Sequence, residues 1–246
     1  MTKYVVDGFI NEFVQQHISV DCFAIEDIDA GSIDLSMYDA MGIAYPVHSL
    51  NAPEIVIRFA KRLPQSNGTR VFIIHSAGED NKYNYASSDL LIKILNKKGY
   101  RVYYNKLFEM PSNFAVKYDT TKVKRILNKV NKDIPHDAED ITRCVPHKMN
   151  MSFIAKVFAF IGRVEWPGTR MLGKLFYTKT GCNQCGTCVD NCPNNNIVMS
   201  KKSVTFKWRC GLCMRCVYQC SKNVISIRQP FRFICLYQWY DSKLFK

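Results

Sequence analysis

Acidic side chains nearly vanish from the last third of this chain. Residues 168–246 hold two of them, Asp190 and Asp241, against 13 lysines and arginines, whereas residues 1–167 hold 19 against 21. Almost all of the formal net charge of +13 therefore sits on the C-terminal part. Such a basic surface suits an acidic redox partner, nucleic acid or anionic lipid. Nucleic acid is set aside, because the cations are scattered among cysteines and form no nucleic-acid module. Long apolar runs are lacking too. The longest, Met151 to Val164, carries Lys156 and Arg163 and is too short to span a bilayer. No signal-peptide pattern is read, so a reducing, cytoplasmic setting is expected. No Ser/His/Asp set and no motif of paired carboxylates supports hydrolytic catalysis.

What the chain does have is cysteine in a regular pattern. Two runs read Cys182-x2-Cys185-x2-Cys188-x3-Cys192-Pro193 and, 28 residues later, Cys210-x2-Cys213-x2-Cys216-x3-Cys220-Ser221. Eight of the 11 cysteines lie in these two copies. A four-iron cubane needs one thiolate on each iron, and three cysteines spaced three apart on a tight loop reach three corners. A distant fourth must close the site, and two copies that exchange their fourth ligands satisfy both. The assignment is therefore Cys182, Cys185, Cys188 and Cys220 to one [4Fe–4S] cluster, and Cys210, Cys213, Cys216 and Cys192 to the other. Structural zinc is the bland alternative, but continuous triples followed by x3-Cys leave surplus ligands in any tetrahedral scheme. Ile197 and Ile225, each five residues after a run, mark the expected start of a short strand. Gly186 suits the tight backbone around a cluster. The second run ends in Ser221 where the first has Pro193, which loosens one turn without removing a ligand.

Before the runs, strand and helix patterns alternate. A helix is expected over Tyr4–Gln16, then strands at His17–Ile25 and Tyr38–Ala44. A helix follows at Glu54–Leu63 with Pro53 at its start, a strand at Arg70–His75, a helix at Ala86–Lys98 capped by Gly99, and a strand at Tyr100–Tyr104. Alternation at this spacing indicates a parallel, doubly wound α/β sheet with ligand loops at the strands' carboxyl ends. The order of "GIAYPVHSLNAP", helix, "VFIIHSAGE", helix and paired cysteine runs resembles bacterial fusions of a flavodoxin-like domain with a two-cluster ferredoxin, over essentially the whole chain. The resemblance implies a flavodoxin-like doubly wound sheet followed by a small α+β ferredoxin of the bacterial 2[4Fe–4S] type. It also implies FMN in the first domain, held by Tyr45, Pro46, Val47, His48 and Asn51 on one loop and by Ser76, Ala77 and Gly78 on the other. Tyr45 is its candidate for ring contact, and the amides near Asn51 for the pyrimidine edge.

One part of the family pattern is not found. The first strand and the Ser/Thr/Gly-rich loop that cradles the flavin phosphate do not precede the first helix. A start codon upstream of Met1 is the expected explanation, and a chain beginning here is expected to bind FMN weakly or not at all. The expected domains are 1–134 (flavodoxin-like), 135–174 (a polar connector with an amphipathic helix), 175–228 (ferredoxin) and 229–246 (an aromatic, basic tail). Asp119–Val130 reads as a helix. The Met151–Val164 helix is expected to pack between domains, with adsorption to a membrane surface as the sharper reading. Cys22 reads as a small buried hydrophobe. The functional expectation is an electron carrier passing single electrons through two clusters to or from a flavin, with a partner protein of acidic surface. Its rivals are a plain dicluster ferredoxin with a docking domain, and a flavin-dependent reductase of a small substrate.

Overall fold

A computed structural model describes all residues except 113, 115, 201, 202, 236–239, 241 and 246. Part of the aromatic tail thus lies outside the described residues. The chain divides into two compact units, one formed by Met1–Pro111, Asp119–Arg163 and Leu244–Lys246, the other by Ser112–Tyr118 and Val164–Lys243.

The first unit is α/β. Its strands β1 (Ala40–Pro46), β2 (Arg70–Ala77) and β3 (Arg101–Glu109) run parallel in the order β1-β2-β3. Consecutive parallel strands require helical crossovers, here α2 (Glu54–Arg62) and α3 (Asp89–Lys97), the latter entered through a 3-10 turn at Asn84–Ser88. Strand alternation separates the two faces. On one face Phe72 and Phe108 meet α1 (Thr2–Gln15): Phe13 packs edge-on to Phe72 at 6.1 Å and Phe9 edge-on to Phe108 at 5.7 Å. Val5, Phe9 and Phe13 recur every four residues, so one stripe of α1 supplies all three. At the end of α3, Gly99 takes φ +86° and Tyr100 N–H bonds back to Leu95 O, the cap its sequence position implies.

Two expected elements differ. His17–Ile25 forms no strand. In a five-stranded flavodoxin-like order it would pair with an inner strand beside β1, and the three-stranded sheet offers it no ladder. The helix expected to end at Val130 instead continues as α4 (Thr120–Thr142) straight through Pro135. Proline inside a helix costs about 3 kcal/mol. The buried stripe Val123, Ile126/Leu127, Val130, Ile134, Ala138, Ile141 runs on past it, and each buried isoleucine recovers about 2–3 kcal/mol. Buried Asp137 adds a polar tie, accepting from Tyr104 Oη at 2.8 Å and from Lys106 Nζ at 2.6 Å. The segment 135–142 is therefore helix within the first unit, not connector. Helix α5 (Phe153–Gly162), capped by Ser152, also belongs to this unit.

The second unit is built from a repeat. After α6 (Glu165–Lys174) come β4 (Phe176–Thr178), α7 (Thr187–Asp190) and β5 (Ile197–Met199). The same three elements recur 28 residues on as β6 (Val204–Phe206), α8 (Arg215–Tyr218) and β7 (Ile225–Ile227). Left-handed backbone recurs at the same interval, in Gln184 and Leu212, Gly186 and Met214, and Asn195 and Asn223. The halves exchange strands: β4 pairs antiparallel with β7, and β5 with β6. Phe176, Ile197, Phe206, Leu212, Ile225 and Ile227 form the shared core.

His75 is the most exposed to pH of the buried groups in the first unit. It lies wholly buried on β2, its Nδ1 hydrogen-bonded to Ser87 Oγ at 2.8 Å, and burial holds its pKa down to about 3. The unfolded chain binds a proton at this site below the ordinary value of about 6.5, which the folded unit refuses. Stability is therefore complete above pH 6.5 and falls as pH drops toward the folded value, by roughly 2 kcal/mol at pH 5. Urea unfolding at neutral pH and at pH 5 is expected to show a larger acid loss in the wild type than in His75→Asn. Equal losses would contradict it.

Candidate metal centre

The cysteine runs lie on the loops and short helices that follow β4 and β6. Gly186 and Met214, both left-handed, turn the chain into α7 and α8, so that Cys188 and Cys216 fall in the first turn of each helix. Met214 occupies a conformation that L side chains avoid, and its burial in the core holds it there.

The eight sulfurs fall into two neighbourhoods. Burial raises the Cys188 thiol, and Cys182, Cys185 and Cys220 push it the same way by charge repulsion. Burial pushes Cys210 up to about 11, with Cys213 and Cys192 adding to it. Cys216 is raised by burial and then by Cys213, Cys210 and Cys192, with Cys188 the weakest contributor. Among the described residues no three of these sulfurs lie within 4.8 Å of one another. A single tetrahedral zinc with Zn–S of about 2.3 Å needs sulfurs about 3.8 Å apart.

The sites differ in surroundings. Cys192, Cys210, Cys213 and Cys216 line one enclosed cavity whose walls are Phe176, Ile197, Phe206, Leu212 and Met214. Cys185 in the other set is exposed, and hydrogen bonds from Thr187 hold its thiol below the ordinary range. Backbone amides serve the sulfurs as well: Asn196 N–H points at Cys192 Sγ (3.2 Å) and Leu212 N–H at Cys210 Sγ (3.4 Å). Such bonds stabilise thiolate and cluster sulfur alike. Thiols that are buried together and resist ionisation are relieved by bound cationic iron, so the donor set fits iron–sulfur clusters.

Sequence reasoning missed Gly173, on α6. Its backbone lies so close to Cys210 that an added methyl would run into Cys210 Cβ. No motif signals it, because the contact joins residues 37 apart. Asn196, wholly enclosed, its carboxamide oxygen accepting a hydrogen bond from Arg209 N–H at 2.6 Å, is likewise unmarked in the sequence.

The loops assigned to flavin do come together. Tyr45 and Pro46 stand opposite His75 and Ser76, and Val47 N–H bonds to Ser76 O at 2.7 Å. Asn51 and Ser76, however, are engaged by their side chains inside the unit, and Tyr45 is buried. Tyr45 is buried against the His75 ring (5.6 Å), its hydroxyl lying toward Ser87 and Ser88 without closing a hydrogen bond. Asn51 Nδ2 donates to Ser49 O and to Ala159 O of α5, and His48 closes a tight turn onto Asn51. Ser76 Oγ shares a hydrogen bond with Thr2 Oγ1, and Ala77 O accepts from Met110 N–H. Gly78 follows at the strand's end.

No helix among the described residues is long and apolar enough to cross a membrane. No curated protein and no solved structure matches the chain. A family model described as a 4Fe-4S dicluster domain matches residues 174–221, from the last residue of α6 to just past Cys220, so this segment is similar to 4Fe-4S dicluster domains.

Proposed function

We propose that the second unit carries two [4Fe–4S] clusters and that the protein is a single-electron carrier. Cys182, Cys185, Cys188 and Cys220 would hold one cluster, Cys210, Cys213, Cys216 and Cys192 the other. The observation that carries this reading is the exchange of strands between the two 28-residue halves. Each run's fourth cysteine immediately precedes a strand that pairs with the opposite half, as an exchanged fourth ligand requires. When bound, such clusters supply one-electron oxidation and reduction near neutral pH.

The chain's own residues set the conditions. The apolar wall around Cys192, Cys210, Cys213 and Cys216 excludes water, and the amides of Asn196 and Leu212 offset negative charge on sulfur. The 13 cations of residues 168–246 favour the more negative reduced state, which places the potentials above those of an acidic ferredoxin. They also suit a partner protein with an acidic surface.

For the first unit the flavodoxin-like reading is supported by strand order, since β1-β2-β3 corresponds to the 3-4-5 half of a 2-1-3-4-5 sheet. With Tyr45 buried and the Asn51 and Ser76 side chains hydrogen-bonded internally, we read this unit as a docking scaffold and route no step through FMN. The protein as a whole is a carrier rather than a reductase of a small substrate.

Anaerobic purification followed by iron, sulfide, zinc and flavin quantitation tests the reading. About eight iron and eight sulfide per chain are expected; one or two zinc with no iron would overturn it. Gly173→Ala should push Cys210 out of place and cut bound iron to about half. Gly168→Ala, on the same helix with nothing within 4 Å of the added methyl, should leave it unchanged. Equal iron in both variants would contradict the placement of Cys210.

A further inference from the structure

We propose that the outward face of α5 docks on a bilayer surface that carries anionic lipid. The helix is seated the wrong way round for an ordinary surface helix. Its inward side consists of small residues: Ala155 and Ala159 are fully buried against Ala86, and the Gly162 backbone lies on Ser49 O. Asn51 Nδ2 binds the Ala159 carbonyl at 2.7 Å and fixes the seat. At 100° per residue the large side chains Phe160, Phe153, Val157, Ile161, Ile154 and Phe158 then sweep one continuous outward arc. All six are exposed, Phe153 to 80% and Phe160 to 68%. An amphipathic helix of a water-soluble surface does the reverse, turning its apolar stripe inward. A contiguous apolar face of this kind marks an interaction site.

The charge around the arc selects the occupant. The helix and its C-cap carry two cations, Lys156 and Arg163, and no acid. Lys156 stands at the flank of the arc, its Nζ 3.7 Å from Asp89 on the inward side. The Arg163 guanidinium lies over the Phe160 ring at 5.4 Å, where the apolar face meets its polar edge. An apolar centre with a cationic rim matches the acyl and phosphate layers of an anionic membrane surface. The helix spans ten residues, about 15 Å, which suits a helix lying in the interface and not one crossing it. Burying six large side chains among acyl chains removes the exposure that the small-residue seat creates.

Vesicle flotation with the full chain tests this directly. Vesicles of phosphatidylcholine with one quarter phosphatidylglycerol are expected to carry the protein, and pure phosphatidylcholine or high salt to weaken binding by at least about tenfold. The exposed-face variant Phe153→Glu/Val157→Glu/Ile161→Glu should lose at least about tenfold in partitioning, with iron content unchanged. As a readout that does not depend on that variant folding, Phe153→Trp should shift its emission to the blue on the anionic vesicles. Absence of flotation on the anionic vesicles, equal flotation on both vesicles, or an unshifted Phe153→Trp spectrum on the anionic vesicles would overturn the proposal. So would a wild-type dimer that the triple variant converts to a monomer, since the face would then belong to a second copy.

Discussion

Three cysteines spaced three residues apart can reach three corners of a cubane but not the fourth, and the proposed two-cluster reading of the second unit turns on that shortfall. Its two halves repeat every 28 residues in strands, helical turns and left-handed positions. They do not fold as separate lobes. Each half gives its last strand to the other half's first, so Phe176, Ile197, Phe206 and Ile227 make one core. A unit this small has little apolar surface to bury alone, and the interleaving lets eight sulfurs and a shared core support one another. In the proposed assignment the same exchange gives Cys192 to the second run's cluster and Cys220 to the first's.

The first unit depends on a different economy of contact. Its sheet is three strands wide, and α1 and α4 cover one face through Phe9, Phe13 and the long stripe of α4. Polar side chains near the strands' carboxyl ends bind one another, His75 to Ser87 and Asn105 to Ser88, while Asn51, expected at a flavin edge, binds α5. These bonds fasten α5 by its small face and leave its large residues outside. The unit is thus closed where a cofactor loop is expected and open where an amphipathic helix is expected to be closed.

Sequence spacing made the 4Fe-4S dicluster segment, the strands at Ile197 and Ile225, and the cap at Gly99 legible, because each is a local pattern with one chemical meaning. Pro135 misled for the same reason: a local breaker was outweighed by burial of Ile134, Ala138 and Ile141, which only tertiary packing reveals. His17–Ile25 has strand-like alternation, yet a strand exists only with a partner. Gly173 stayed silent since closeness to Cys210 leaves no trace in the residues around it. The helical period of Met151–Val164 showed amphipathic character but not orientation; apolarity alone does not say which face a protein turns inward.

The central claim is the crossing of the fourth ligands between halves. Electron paramagnetic resonance of the reduced, reconstituted protein with single serine substitutions measures it most directly. Cys192→Ser is expected to alter the same cluster signal as Cys213→Ser and leave the other intact, while Cys220→Ser follows Cys185→Ser. If Cys192→Ser instead perturbs the signal that Cys185→Ser perturbs, each run closes its own cluster and the account is contradicted.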